Sequence, residues 1–442
     1  LAVMGSAAAD IPHVVVVGGG AGGLELASRL GRRAGRRERI RVTLVDASLT
    51  HLWKPLLHEV AAGTLDSGAD ALDYLAQARQ HGFTYQLGRM VGLDRGRRRV
   101  RLAAITDEAG RALVPARELD YDWLVLAVGS VSNDFGTPGV AEHCVFLDDA
   151  AAAERFQQML MRALLGAQLQ ETPLAPEQLS VAIVGGGATG VELAAELRSA
   201  ARKAAGYGLD RIDPERDLTL TVIEAAERIL PALSPGLSAK THARLEELGV
   251  RVLTGRPVTE VTDRGMHVEG GEFVPAELRV WSAGIRAPAW LQELEGLATT
   301  RSGQLVVDEC LRTADPRVFA LGDCAAQTPP GADRPLPPRA QTASQQAEYL
   351  ARHLPALIAG RTPPPFVYRD YGSLISLTER HAVGRLMGSV FGNWMIEGLL
   401  ARAAYASLYR KHLAVVHGLP RMLLISTLQW LARRTRPRLK LH

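Results

Sequence analysis

Two hexapeptides, Gly18-Gly19-Gly20-Ala21-Gly22-Gly23 and Gly185-Gly186-Gly187-Ala188-Thr189-Gly190, have the spacing of a loop that cradles a pyrophosphate. In a G-x-G-x-x-G turn the first glycine permits the tight bend. The second lets the backbone approach the phosphates, and the third lets the following helix pack closely on the sheet. Unpaired N–H groups at that helix's start favour an anion. The candidate contacts are therefore Gly18, Gly20 and Gly23 in one loop and Gly185, Gly187 and Gly190 in the other.

Such loops work only between a strand and a helix, with a second strand delivering an acid to the ribose. Both sets of elements are predicted. His13 to Val17 is a β-branched run ahead of the first loop, LELASRL reads as a helix behind it, and the strand from Ile40 to Val45 ends at Asp46. The pattern recurs with Leu179 to Val184, the helix VELAAELRSA, and the strand Leu218 to Ile223 ending at Glu224. An acid there accepts hydrogen bonds from a free 2′-hydroxyl and repels a 2′-phosphate, so the second site is expected to prefer NADH over NADPH. Arg228, close by, softens that expectation. The predicted fold class is α/β, with two Rossmann-like dinucleotide-binding domains.

The 442 residues exceed what one compact core accommodates, and 47% apolar with 22% charged residues describes a globular chain. Cys144, Cys310 and Cys324 form no close pair, which argues against a disulfide framework or a thiolate metal cluster. His51, His58, His381 and His412 match no ligand spacing, so no metal is expected. The first dozen residues lack the pattern of a signal peptide, and no apolar run reaches about 18 residues. The expectation is a cytoplasmic chain with at most peripheral membrane contact. From Met395 onward the formal charge is +8, leaving −4 for the remainder. The basic character belongs to the tail and does not imply nucleic-acid binding.

One dinucleotide domain set inside another resembles the FAD- and NAD-linked reductases. Tyr121 to Gly129, with Ala127 and Gly129, resembles the strand closing their first pass through the FAD domain, and Arg317 to Asp323 resembles the strand whose Gly322-Asp323 meets the ribityl chain. So read, residues 10–148 and 287–362 form the FAD domain, 149–286 the NADH domain, and 363–442 a C-terminal membrane-anchoring or dimerisation region. Disulfide reductases of this architecture carry a cysteine pair near the flavin. Here His51-Leu52-Trp53-Lys54-Pro55-Leu56-Leu57-His58-Glu59-Val60-Ala61-Ala62-Gly63 instead resembles the type II NADH dehydrogenases, most of all their proteobacterial members. Pro338 to Gln346 is similar to that family's quinone-site helix, and Ser407 to Arg410 with Arg436 to His442 to its membrane-anchoring end.

The resemblance implies hydride transfer from NADH to FAD, then two electrons to a membrane quinone, without ion pumping. It adds Lys54, Val91 and Ala340 to the FAD contacts and Ala283 and Gly284, beside Trp281, to those of NADH. Gln341 and Gln345, one helical turn apart, are the implied quinone ligands; a solvent-facing polar strip is the plain alternative. Glu192 is implied to relay a proton or orient NADH, whereas a first-turn acid also serves simply to complement a helix dipole. In the tail, Leu424, Leu428 and Leu431 share a helical face with Ile425, opposite Ser426, Gln429 and Arg433. With Trp430, Arg433 and Arg434 this suits an interfacial helix on anionic lipid at the cytoplasmic face of the inner membrane. Packing on the body or on a second copy as a homodimer is the competing reading. Rival functions are a sulfide:quinone oxidoreductase and a flavin- and NADH-binding redox sensor.

Overall fold

The computed structural model describes residues 11–33, 39–107, 109–205, 211–294, 296–376, 382–386, 394–397, 407, 410, 413–414 and 418–435. Its first half runs β1 (His13–Val17), α1 (Ala21–Arg33), β2 (Arg41–Asp46), α2 (Leu57–Ala61), β3 (Thr84–Leu87), β4 (Trp123–Leu126) and α3 (Ala150–Leu169). There follow β5 (Ser180–Val184), α4 (Ala188–Ala205), β6 (Thr219–Ile223), β7 (Val250–Leu253), β8 (Leu278–Trp281), β9 (Val318–Ala320), α5 (Ala340–Ile358) and α6 (Leu419–Thr435), among shorter elements.

The chain divides into two compact units. One takes the described part of Leu1–His51 with Leu72–Val131 and Arg286–Tyr368; the other takes Leu52–Ala71, Ser132–Ile285 and the described part of Arg369–His442. In the first, five parallel strands stand in the order β9-β4-β1-β2-β3. All five residues of β1 are buried, as a strand covered on both faces must be, which is why it reads as an unbroken β-branched run. The chain moves outward from β1 to β2 and β3, then returns to the other side of β1 with β4. That reversal opens a crevice beyond the carboxyl ends of β1 and β4, where ligands of open α/β sheets bind. α1 lies against α5, and at Gly22 the approach is tight: a Cβ there would stand 2.4 Å from Leu321 Cδ1 and 3.2 Å from the Ala343 carbonyl oxygen.

The second unit repeats the plan. Its parallel sheet has the short strand Val145–Phe146 at one edge, then β8-β5-β6-β7, so the order reverses between β5 and β8. α2 packs on α3 and α4 within this unit, and Ser67 just beyond it donates to Glu154 of α3. An antiparallel sheet of Gly372–Ser376, Ala382–Leu386 and Trp394–Glu397 precedes α6. Arg436 to His442, His381 and His412 lie outside the described residues. Among the described residues no helix is long and apolar enough to cross a membrane.

Candidate functional site

The three motif glycines of the first loop, Gly18, Gly20 and Gly23, do different jobs. Gly18 has φ +101°, and a Cβ on it would fall 2.3 Å from the Ala127 carbonyl oxygen; one on Gly23 would fall 1.8 Å from the carbonyl oxygen of Gly18. Around Gly20 nothing lies within 4 Å. Two glycines thus let backbone pack on backbone, and the third keeps open the face where a pyrophosphate would approach. Asp46 fixes the loop: its Oδ2 accepts the Gly19 amide at 2.6 Å and its Oδ1 the Ser48 amide at 2.8 Å. Burial raises the pKa of this carboxyl, and the Gly19 and Ser48 amides offset that only in part. The Tyr74 hydroxyl donates to the Gly19 carbonyl at 2.7 Å, and its ring stacks on Tyr85.

The ends of β4 and β9 complete this crevice. Gly129 has φ +72° and Gly322 φ +73°. Asp323 accepts the Ser130 hydroxyl at 2.8 Å, while its own carbonyl accepts Gln304 Nε2 at 3.0 Å. The Gly322 amide donates 2.7 Å to Oε1 of Gln346, a side chain only 1% exposed on α5. Sequence reasoning missed Ser130, Tyr74 and Gln346. Ala340 opens α5 behind the extended cap residue Arg339, and Gln341 and Gln345 are half-buried on its first turns.

Glu25 also escaped the sequence reading. It is 2% exposed on α1, meets Arg29 Nη2 at 2.7 Å and accepts the Ser344 hydroxyl of α5 at 2.8 Å. Burial raises its pKa, against the pull of Arg29 and Ser344. Hydrogen bonds to a charged group are worth about 1.5–3 kcal/mol, so this link ties the helix behind the loop to α5. The clue was available: Glu25 follows Gly23 by the same offset as Glu192 follows Gly190.

The second loop reproduces the geometry. Gly185 has φ +107° and no room for a Cβ, which would stand 2.8 Å from the Ala283 amide nitrogen; one on Gly190 would stand 2.0 Å from the Gly185 carbonyl oxygen. Gly187 again faces open space. Glu224 Oε2 accepts the Gly186 amide at 2.6 Å, and Oε1 the Ala226 amide at 2.8 Å. Because Val184 pairs with Trp281, Ala283 and Gly284 emerge beside the loop. Trp281 itself is 3% exposed in the hydrophobic core, its Nε1 donating to the Asn133 carbonyl. Arg228 spends both Nη atoms on the carbonyls of Leu233 and Pro231, each at 2.8 Å.

Glu192 is 7% exposed in the first turn of α4, and its Oε2 lies 3.7 Å from Nδ1 of His58 on α2. Burial drives His58 down to about 4, so at neutral pH the ring is uncharged and the contact is not an ion pair. His51, equally buried, is held down to about 4 in the same way. Burial pushes the Cys144 thiol up to about 12 and that of Cys324 to about 11.

The remaining predicted residues belong to other elements. Val91 is 53% exposed on the strand Met90–Asp94, in a small antiparallel sheet of the first unit. Lys54 is exposed in a turn belonging to the second unit, whereas the other predicted FAD contacts lie in the first. On α6, Leu424 and Leu428 are 59% and 55% exposed; Trp430, Leu431, Arg433 and Arg434 share the helix, but their side chains lie outside the described residues.

Residues 12–347 match the family model of pyridine nucleotide-disulphide oxidoreductases. The type II NADH:quinone oxidoreductase of Haemophilus influenzae is 43% identical, over 97% of this chain and all of that protein. The enzyme of the same name from Staphylococcus aureus is 29% identical over 86% of this chain and 91% of its own. Among solved structures, NDH2 of Plasmodium falciparum in complex with NADH superposes with a TM-score of 0.78 at 19% identity, covering 91% of this chain and 94% of that one.

Proposed function

The chain belongs to the type II NADH:quinone oxidoreductases, within the pyridine nucleotide-disulphide oxidoreductase family, and on that footing we propose that it oxidises NADH and reduces a membrane quinone through FAD, without pumping ions. One observation carries this reading at the level of residues: the same loop, acid and open middle glycine occur twice, giving one chain two dinucleotide cradles. FAD, when bound, supplies the chemistry of accepting a hydride and returning two electrons.

The chain's residues bind and orient. Gly18, Gly20 and Gly23 would hold the FAD pyrophosphate, with Asp46 on its ribose and Asp323 on its ribityl chain, set by Ser130. Ala127 and Gly129 would line the same crevice, with Val91 and Lys54 as outlying contacts. Ala340 opens a helix of 19 residues, and its N-terminal dipole would stabilise negative charge on the cofactor. Gly185, Gly187 and Gly190 would hold NADH, with Glu224 on its ribose and Ala283 and Gly284 at the nicotinamide end. Arg228, already committed to two carbonyls, leaves the acid unopposed, which supports NADH over NADPH. Glu192 would orient the dihydronicotinamide or carry a proton, and Gln341 and Gln345 would hydrogen-bond the quinone.

Sulfide as donor is disfavoured because its capture needs a cysteine pair that can form a disulfide, and Cys144, Cys310 and Cys324 are all free. Attachment would be peripheral, at the cytoplasmic face of the membrane, through α6 and its basic surroundings. A homodimer through the same helix is the second use of that face. The deciding experiment is stopped-flow spectroscopy: NADH should bleach the flavin, and a soluble quinone added next should restore it. A reduced flavin that quinone leaves unoxidised would select the redox-sensor reading instead.

A further inference from the structure

Arg198, on α4, is 4% exposed, yet among the described residues no carboxylate meets its guanidinium. Nη1 donates to the carbonyl of Glu215 at 2.7 Å and Nη2 to the carbonyl of Gly249 at 2.9 Å, while the Nε–H has no acceptor. Glu215 attracts Arg198 through space but is itself paired with Arg202 at 2.8 Å, so this buried cation is only partly compensated, and a poorly paired buried charge is costly. Arg198 lines a cavity of about 600 Å³ with Arg202, Arg216, Arg251, Ser180 and Thr219; the two acids in the lining, Glu215 and Glu247, pair with Arg202 and Arg244.

The cavity is at the opposite end of the second sheet from the glycine loop. Ser180 and Thr219 are the first residues of β5 and β6, whereas Gly185 and Glu224 follow the last. Strands of five residues separate the two by about 16 Å at roughly 3.3 Å per residue. The arginines at the mouth are held loosely. Arg202 pairs with Glu215 at 2.8 Å, Arg216 with Asp217 at 2.9 Å and Arg251 with Glu272 at 2.5 Å, and the three arginine side chains are 47%, 75% and 53% exposed. Exposed pairs of this kind contribute little and re-form easily. A neutral or cationic ligand would leave the surplus positive charge of this lining uncompensated, whereas a tetrahedral dianion supplies negative charge beside Arg198 and acceptors for the exposed guanidinium groups of Arg202, Arg216 and Arg251.

We propose that this cavity binds a phosphate-type dianion, at a site separate from the nucleotide cradles and from the reaction. The test uses the full chain with FAD bound and NAD⁺ saturating, so that neither glycine loop takes up phosphate. Calorimetric titration with inorganic phosphate, against chloride at equal ionic strength, should give saturable binding of one equivalent. Arg251→Gln should weaken it roughly tenfold, the loss of one charge-assisted hydrogen bond, with KM for NADH unchanged. Arg198→Lys should weaken it at least as much. A repeat with glycerol phosphate distinguishes the sources: tighter binding than inorganic phosphate supports a phosphorylated metabolite, weaker binding the free ion. Absence of saturable heat in the unmodified enzyme overturns the proposal, as does undiminished binding in Arg251→Gln, which decides the matter if Arg198→Lys does not fold.

Discussion

Asp46 and Glu224 hold their glycine loops by the same contact: each accepts, at 2.6 Å, the amide of the residue after its loop's first glycine, Asp46 from Gly19 and Glu224 from Gly186. The second oxygen of each takes a further amide at 2.8 Å, from Ser48 and Ala226. Both carboxylates are thus fixed by their own loops, and each oxygen keeps a lone pair for the ribose hydroxyls proposed to meet it.

In Glu224→Gln one carboxylate oxygen becomes an NH2 group, which must then face either an amide donor or the ribose. Loss of one charge-assisted hydrogen bond lowers kcat/KM for NADH by roughly tenfold or more, while NADPH, relieved of charge repulsion, gains relative to it. Steady-state kinetics with both donors checks this. Equal kcat/KM for the two in the unmodified enzyme would sink the assignment.

Neighbouring glutamines on α5 should fail differently. Gln341→Ala or Gln345→Ala is expected to slow flavin reoxidation by quinone about fivefold, one neutral hydrogen bond's worth, and to leave reduction by NADH near normal. Gln346→Ala removes the acceptor of the Gly322 amide and should instead weaken FAD retention, read as flavin content after gel filtration. If Gln341→Ala also sheds FAD, or slows both half-reactions alike, that face of α5 is structural.

His51 and His58 make the fold acid-sensitive. Both titrate near 4 when folded, because burial disfavours the charged ring, against about 6.5 unfolded. The unfolded chain therefore binds more protons. Their contribution is intact above pH 6.5 and is lost as pH falls toward 4, by about 1.4 kcal/mol per pH unit for each ring. Melting temperature should drop between pH 6.5 and 5, and His58→Asn should lessen the slope. A melting temperature flat over that range contradicts the burial of both rings.

The two cradles were legible because each is local: strand, loop and helix are contiguous, and only the acid must be found some 25 to 40 residues on. What tunes them was not. The Ser130–Asp323 bond spans 193 residues, and nothing about a serine after a glycine announces it. Gln346 lies within the segment Pro338 to Gln346, but its partner Gly322 depends on how α5 approaches β9. Residues 52–71 carry no local sign that α2 packs with α3 and α4, because that choice rests on tertiary contacts alone. Trp281, by contrast, reads equally well as core or contact until the register of β8 against β5 turns it inward.

Unlike a helix packed in a globular core, α6 leaves leucines uncovered. Leu419, Leu423, Leu424 and Leu428 are 55–65% exposed, while Met422 and Ser426 are half-buried. Exposed leucines on one helix need an apolar cover, and the tail from Met395 brings +8 alongside. Each basic residue near an anionic leaflet contributes about 1 kcal/mol and is screened within about 10 Å at 0.1 M salt. Burying a leucine contributes on the order of 1–2 kcal/mol that salt does not touch. High salt should therefore release the protein from anionic vesicles only in part, and detergent should release it fully. Ending the chain at Gly418 removes the helix and six of the nine basic residues, leaving the rest at −2. That variant should remain a soluble flavoprotein that NADH reduces, while turning over a long-tailed quinone poorly. If it still sediments with vesicles, the anchor lies elsewhere. If it loses FAD, α6 belongs to the core, and if lipid-free full-length dimers become monomers on truncation, the leucines cover a second copy instead.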